Sequence, residues 1–238
     1  MFVRGKLRAS FQFVDLSRIY AHCVPMLRSI FPKIIWSGDA SVPSLYLTYD
    51  DGPHAVHTAN LLDLLKARDV KATFFLLGNC LSSAEARNVV WEMYSRGHCI
   101  GIHGFSHRPF ACMRRSQLKD ELNRTRDVLG EILGKEAADI SLVRPPKGAF
   151  APWQVNWLIE WGFRLVMCTV LPQDWRHDLT VNQIVHRAIR DGAKFGSIVA
   201  LHDGEPTAGS KVVEVTMRLL DALRDGRSFM TISESLNL

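Results

Sequence analysis

A chain of 238 residues, 47% hydrophobic and 22% charged, holds enough apolar material for one sizeable core and is too apolar for a disordered or fibrous chain. Its net charge of +5 comes from dispersed Lys and Arg with no basic cluster interleaved with aromatics, which speaks against nucleic acid as a partner. The five cysteines, Cys23, Cys80, Cys99, Cys112 and Cys168, are odd in number and form no C-x-x-C pair, so they read as buried thiols of a reducing compartment.

The N-terminal stretch begins basic, but Asp15 and Arg18 interrupt any apolar h-region and no small-residue cleavage site follows, so it does not read as a signal peptide. No run reaches the roughly 18 to 20 apolar residues that span a bilayer. A cytoplasmic location is the expectation, with peripheral membrane attachment as its variant. Phe13, Leu16, Tyr20, Val24 and Leu27 fall near helical spacing until Pro25 disturbs the pattern. Residues 1–43 are therefore taken as an N-terminal extension, helical and packed on the domain that follows, or else an amphipathic arm at a membrane surface.

From residue 44 short β-type runs alternate with longer helical patterns. "SLYLTY" (44–49) precedes a helix with Leu61, Leu62, Leu64 and Leu65 on one face; "ATFFLL" (72–77) precedes a helix over 85–96; "HCIGI" (98–102) precedes one over 116–133. "ISLV" (140–143) leads to a helix from Pro152, "FRLVMC" (163–168) to one capped by Thr180, "SIVAL" (197–201) to one from about Ser210 to Leu223, and "SFMTI" (228–232) closes the chain. Strands followed by helices predict an α/β domain over 44–238 with about seven parallel strands. No Gly-rich phosphate loop follows the first strand, and polar motifs recur after many strands, which favours a barrel whose strand ends converge over an open sheet.

Those strand ends carry Asp50 and Asp51, His103 and His107, Arg144, and His202 with Asp203. "HGFSH" places two imidazoles four residues apart, able to grip one metal ion if the segment turns helically, and the "DD" pair offers a carboxylate as third ligand. A cation would also relieve the repulsion between Asp50 and Asp51, leaving one carboxylate free to accept a proton. Plainer readings stand beside these: an Asp capping a helix that begins near His54, a core histidine at 202, a surface ion pair for Arg144, and an exposed loop with one anchoring Trp at 173–178.

Taken together and in order, "TYDDG", "HGFSH", "RPPKG", "QDW" and "VALHD" resemble the five motifs of the polysaccharide deacetylase family of carbohydrate esterases, and "KATFF" resembles its second barrel strand. The resemblance covers roughly 44–235. It implies a distorted (β/α) barrel with fewer than eight strands, and a metal-dependent hydrolase that removes N-acetyl groups from N-acetylglucosamine-type sugars. It further implies that Asp51, His103 and His107 hold a divalent metal, zinc by preference and Co²⁺, Ni²⁺ or Mn²⁺ otherwise. Asp50 would be the general base and His202 the general acid, Arg144 would contact the base and Asp174 would orient the catalytic histidine. Trp175 and Leu201 would be apolar groups near the acetyl pocket, and Lys147 would offer its backbone N–H to the oxyanion.

Three positions depart from the family's pattern. Gly104 stands where Ser or Thr is common, Lys147 where Tyr is common, and Leu171 where many members have Asp. The first puts a hydrogen bond to the histidine loop in doubt, and the second hints at an anionic group on the substrate. The substrates in view are chitin-like oligosaccharides, peptidoglycan, lipid-linked amino sugars, cyclic amides and O-acetyl esters; a start that does not read as a signal peptide speaks against peptidoglycan and extracellular chitin, and the N-terminal arm speaks for a lipid-linked sugar. An inactive carbohydrate-binding relative is the alternative of another class, against which the complete set of ligands and base speaks.

Overall fold

Helix α1, Leu16–Ile30, runs through Pro25, the residue that disturbs the helical pattern in the sequence. Proline removes one backbone hydrogen bond, but Val24 is buried in the main core and Leu27 packs on it, and such packing outweighs local propensity. The structure, a computed structural model, describes residues 16–135, 140–192 and 194–236, without the side chains of 16–21 and 192. Phe13, Asp15 and the side chains of Leu16, Arg18 and Tyr20 thus lie outside the described residues.

After α1 the order is β1 (Ser44–Asp50), α2 (His57–Ala67), β2 (Thr73–Leu76), α3 (Ala84–Ser95), β3 (Cys99–Ile102), α4 (Arg115–Leu133) and β4 (Leu142–Val143). Then come α5 (Gln154–Glu160), β5 (Arg164–Leu165), α6 (Val181–Gly192), β6 (Ile198–His202), α7 (Pro206–Leu223), β7 (Ser228–Phe229) and α8 (Ile232–Leu236). Six strands lie in the order β5-β4-β3-β2-β1-β6, all parallel, with β7 paired to the foot of β1. The segment after β5 closes the ring, because Val170 bridges Val199 of β6. On the way Val166 bridges Ile35, so part of the expected N-terminal extension is woven into the wall, with Trp36 buried beside it.

Side-chain alternation gives this wall an outside and an inside. Leu45, Leu47 and Tyr49 of β1 join the apolar layer beneath the helices. Tyr46 instead packs with Phe75, Leu142, Val166, Cys168, Ile198, Ala200 and Ile232 inside the barrel. Ile232, whose N–H is bonded to Thr73 Oγ1 at the start of β2, fills the N-terminal end. The C-terminal end is left for polar groups.

Two expectations change. Helix α7 begins at Pro206 rather than near Ser210, because the Glu205 carboxylate caps the Ala208 N–H and proline suits a first turn. The five cysteines are thiols rather than disulfide partners, as expected, but Cys112 is exposed, Cys23, Cys80 and Cys99 are half-buried, and only Cys168 is buried. Among the described residues no helix is long and apolar enough to cross a membrane.

Candidate active site

Asp50 is the last residue of β1 and faces the barrel interior, where a carboxylate would be costly alone. Arg144, just after β4, reaches across the interior and donates from Nη1 to Asp50 Oδ1 at 2.8 Å and to Thr48 Oγ1 at 2.7 Å. Its Nη2 bonds the Met167 carbonyl, and its guanidinium lies 4.2 Å from the Phe75 ring centroid. Burial works against the charge of Asp50, but Arg144 and the nearby imidazoles hold its carboxyl below the usual range. Neither aspartate caps α2, whose N-cap Val56 takes no side-chain bond, so the capping reading of the "DD" pair falls away.

Asp51 turns out of the strand with φ 71°. Its Oδ1 lies 3.4 Å from His103 Nε2 and 3.1 Å from His107 Nε2, and lacks a hydrogen-bond partner. Ligand atoms about 2.1 Å from a tetrahedral ion stand about 3.4 Å apart, so these separations suit one shared cation. His103 Nδ1–H donates to the Arg144 carbonyl at 2.8 Å, which puts the proton on Nδ1 and leaves the Nε2 lone pair toward Asp51. Burial also lowers the pKa of His103, keeping it neutral as a ligand must be. The donor set therefore fits a divalent metal.

The loop carrying the two histidines is not helical, and it is held by groups the sequence reading did not single out. The Glu121 carboxylate on α4 accepts from the N–H groups of Phe105 and Ser106 and from the Ser106 hydroxyl, while Thr125 Oγ1 donates to the Gly104 carbonyl at 2.9 Å. Gly104 itself has φ 90°, a conformation that suits glycine and not Ser or Thr. The bonding feared lost at this position is thus supplied from the helix.

His202 ends β6 and is the register partner of Asp50. Asp174 binds it twice: Oδ1 accepts from the ring Nδ1 and Oδ2 from the backbone N–H, both at 2.8 Å. Burial opposes a charge on His202, yet Asp174 and then Asp50 and Asp51 outweigh it and push the pKa up to about 10. The Trp175 ring stands edge-on to the imidazole at 5.0 Å. Lys147 projects from the turn after Arg144 at φ 58°, exposed. His107, Asp51, Lys147 and Gln173, which precedes Asp174, are all non-glycine residues in the left-handed region, and such strain gathers at functional sites.

Leu201 does not reach the site. Alternation along β6 turns Ala200 and His202 inward and Leu201 outward, where it is fully buried in the layer under the helices. Ala200 is the inward neighbour below His202. Asp203, fully buried, receives the Thr58 hydroxyl, and Thr58 Oγ1 accepts the His54 N–H, so the chain after Asp51 is tied to the end of β6. Gly52 makes room: a Cβ there would stand 2.6 Å from Asp203 Oδ2. Burial and then the Asp51 charge push Asp203 up to about 7. The tie rests on a Thr and an Asp 145 residues apart, which no local pattern signals.

Comparison with known proteins finds relatives in sequence and in fold. The family model for polysaccharide deacetylase matches residues 37–166. A peptidoglycan-N-acetylglucosamine deacetylase of Bacillus cereus is 30% identical over 201 residues, covering 83% of this chain and 70% of that protein. A crystal structure of a peptidoglycan N-acetylglucosamine deacetylase superposes with TM-score 0.78 at 27% identity, covering 85% of this chain and 92% of that one. A family 4 acetyl xylan esterase from Clostridium thermocellum, solved with a cobalt ion, gives TM-score 0.73 at 28% identity, covering 81% and 90%.

Proposed function

The chain belongs to the polysaccharide deacetylase family, a family of metal-dependent hydrolases, and from its site we propose that it removes N-acetyl groups from N-acetylglucosamine-type sugars, releasing acetate. The observation that carries this reading is the pairing of Asp50 with His202 across adjacent strand ends, their environments pushing one pKa down and the other up to about 10. Such a split assigns a base and an acid to one site.

Asp51, His103 and His107 would hold the metal, zinc by preference, which when bound polarises the acetamide carbonyl and makes water more acidic. Asp50, with Oδ1 fixed by Arg144, takes the proton of the attacking water on Oδ2. The backbone N–H of Lys147 would stabilise the charge that develops on the carbonyl oxygen. His202, with Nδ1 fixed by Asp174, donates from Nε2 to the departing nitrogen, which is a poor leaving group until protonated. Trp175, edge-on to the imidazole, would be an apolar group near the acetyl pocket. Residues 44–238, with 31–37 contributing to the barrel wall, form the catalytic unit.

Ester hydrolysis is the second reading, and the fold shared with an acetyl xylan esterase favours it. An alkoxide leaves more easily than an amine and would demand less of an imidazolium held at so high a pKa. The deciding experiment measures acetate release from a chitooligosaccharide and from an O-acetylated xylooligosaccharide by the zinc-loaded protein, beside Asp50→Asn. Release from the amide that vanishes in the variant supports the proposal. Release from the ester alone overturns it.

A further inference from the structure

The two halves of the site wall differ in charge. Between His103 and Lys119, and again between Ile140 and Ile159, the chain has no Asp or Glu, whereas the segments 171–178 and 202–205 bring Asp174, Asp178, Asp203 and Glu205. On the first half, Arg144 is taken by Asp50, Arg115 by Glu160, and the carboxylate of Glu121 is spent on Phe105 and Ser106. Arg108, Arg114 and Lys147 are exposed and have no carboxylate partner among the described residues.

The loops after β3 and β4 form one surface. The Ala111 N–H donates to the Ala149 carbonyl at 3.1 Å, Gln154 Nε2 bonds the carbonyls of Phe110 and Met113, and Pro146 would lie 3.7 Å from a Cβ on Gly104. Arg108 directly follows His107, whose ring meets Asp51, and its Nη2 is steadied by the Cys112 carbonyl at 2.7 Å. Lys147 is three residues past Arg144, in a left-handed turn that fixes where its stem leaves the backbone. Both cations are thus seated on backbone that is itself anchored to the reacting groups.

Resting on the deacetylase reading, we infer that this wall is a subsite for a carboxylate on the sugar unit beside the one deacetylated, engaged by Lys147 and Arg108. Cations that face solvent without a counter-charge attract an anionic substrate and discriminate against its neutral form. A carboxylate also accepts charge-assisted hydrogen bonds that a neutral group of the same shape cannot. The specificity is for charge at that unit, separate from the chemistry at the acetamide.

The test compares two oligomers in which N-acetylglucosamine alternates with an amino sugar bearing a lactyl ether, one with the free carboxylate and one with that carboxylate converted to its methylamide. The zinc-loaded protein is expected to favour the acid about tenfold in kcat/KM at low salt, less as ionic strength rises. Lys147→Met and Arg108→Met, each retaining one zinc per chain, bring the ratio of the two oligomers toward one. A ratio near one in the unsubstituted protein, or one unchanged in both variants, overturns the subsite and leaves the deacetylase reading intact. If neither oligomer releases acetate, calorimetric binding to zinc-loaded Asp50→Asn separates the two claims. Tighter binding of the acid, lost in Lys147→Met, keeps the subsite while the deacetylase reading falls; equal or absent binding sinks both.

Discussion

Glu121 accepts the N–H of Ser106 at 2.9 Å and its hydroxyl at 2.7 Å, fastening the middle of the histidine loop to helix α4. The Phe105 N–H, at 2.7 Å, completes the grip on a loop whose two ends carry His103 and His107. Outer groups of this kind set the orientation of the ligands they hold. Glu121→Ala is expected to weaken zinc binding by about 10- to 100-fold, as such partners typically do. Competition with a chromophoric chelator measures it, and unchanged affinity would show that the loop holds its shape without the carboxylate.

Gly104 is the reason the grip has to come from elsewhere. At φ 90° a side chain is strained whatever space surrounds it, and a Cβ would also meet Glu121 Oε2 and the Phe110 ring at 3.4 Å. Gly104→Ser is expected to cost about 1–3 kcal/mol, read as a lower Tm of the metal-free protein. A variant as stable as its parent would mean that the loop can relax to a negative φ.

The strands and the five motifs are legible in the sequence because they rest on local signals: β-branched and aromatic runs, and polar residues that end them. What is not legible depends on partners far along the chain. Glu121 reads as one charge on a solvated helix face, and Thr58 as an ordinary helix residue, until the fold brings them to the histidine loop and to Asp203. Leu201 shows a different limit. A one-residue error along a strand reverses the face, so a motif matched by order alone can assign a role to the outward side chain while Ala200 faces in. Likewise the disturbance that Pro25 makes in the helical pattern is local, and packing of Val24 and Leu27 against the core outweighs it.

Arg144 and Asp50 form an ion pair with side chains 4% and 6% exposed, and removing one partner leaves the other charge buried. Arg144→Leu is expected to destabilise the protein by about 3–5 kcal/mol at neutral pH. Asp50→Asn in the same chain should recover part of that loss, because no buried carboxylate remains unpaired. Urea denaturation of the two single variants and the double variant checks this. Strictly additive losses would show that the guanidinium acts through its stacking on Phe75 and its bond to Met167 instead.

Asp174 gives the pH dependence its sign. Burial alone would lower the pKa of His202, and it is the adjacent carboxylate, with Asp50 and Asp51 behind it, that raises it to about 10. An acid with that pKa stays protonated through neutral pH, so the alkaline limb of kcat should lie near pH 10. In Asp174→Asn the chief counter-charge is gone and burial remains, so the limb moves down toward the ordinary histidine value of about 6.5. Activity at pH near 8 should fall by about tenfold or more, and near pH 6 by less, when kcat is followed across the range. Stability follows the same linkage. A raised folded-state pKa stabilises fully below the unfolded value of about 6.5, and that gain is lost as pH rises through about 10. The stability advantage of the parent over Asp174→Asn should therefore shrink across that window, and an alkaline limb that stays in place in the variant would take the role of acid away from His202.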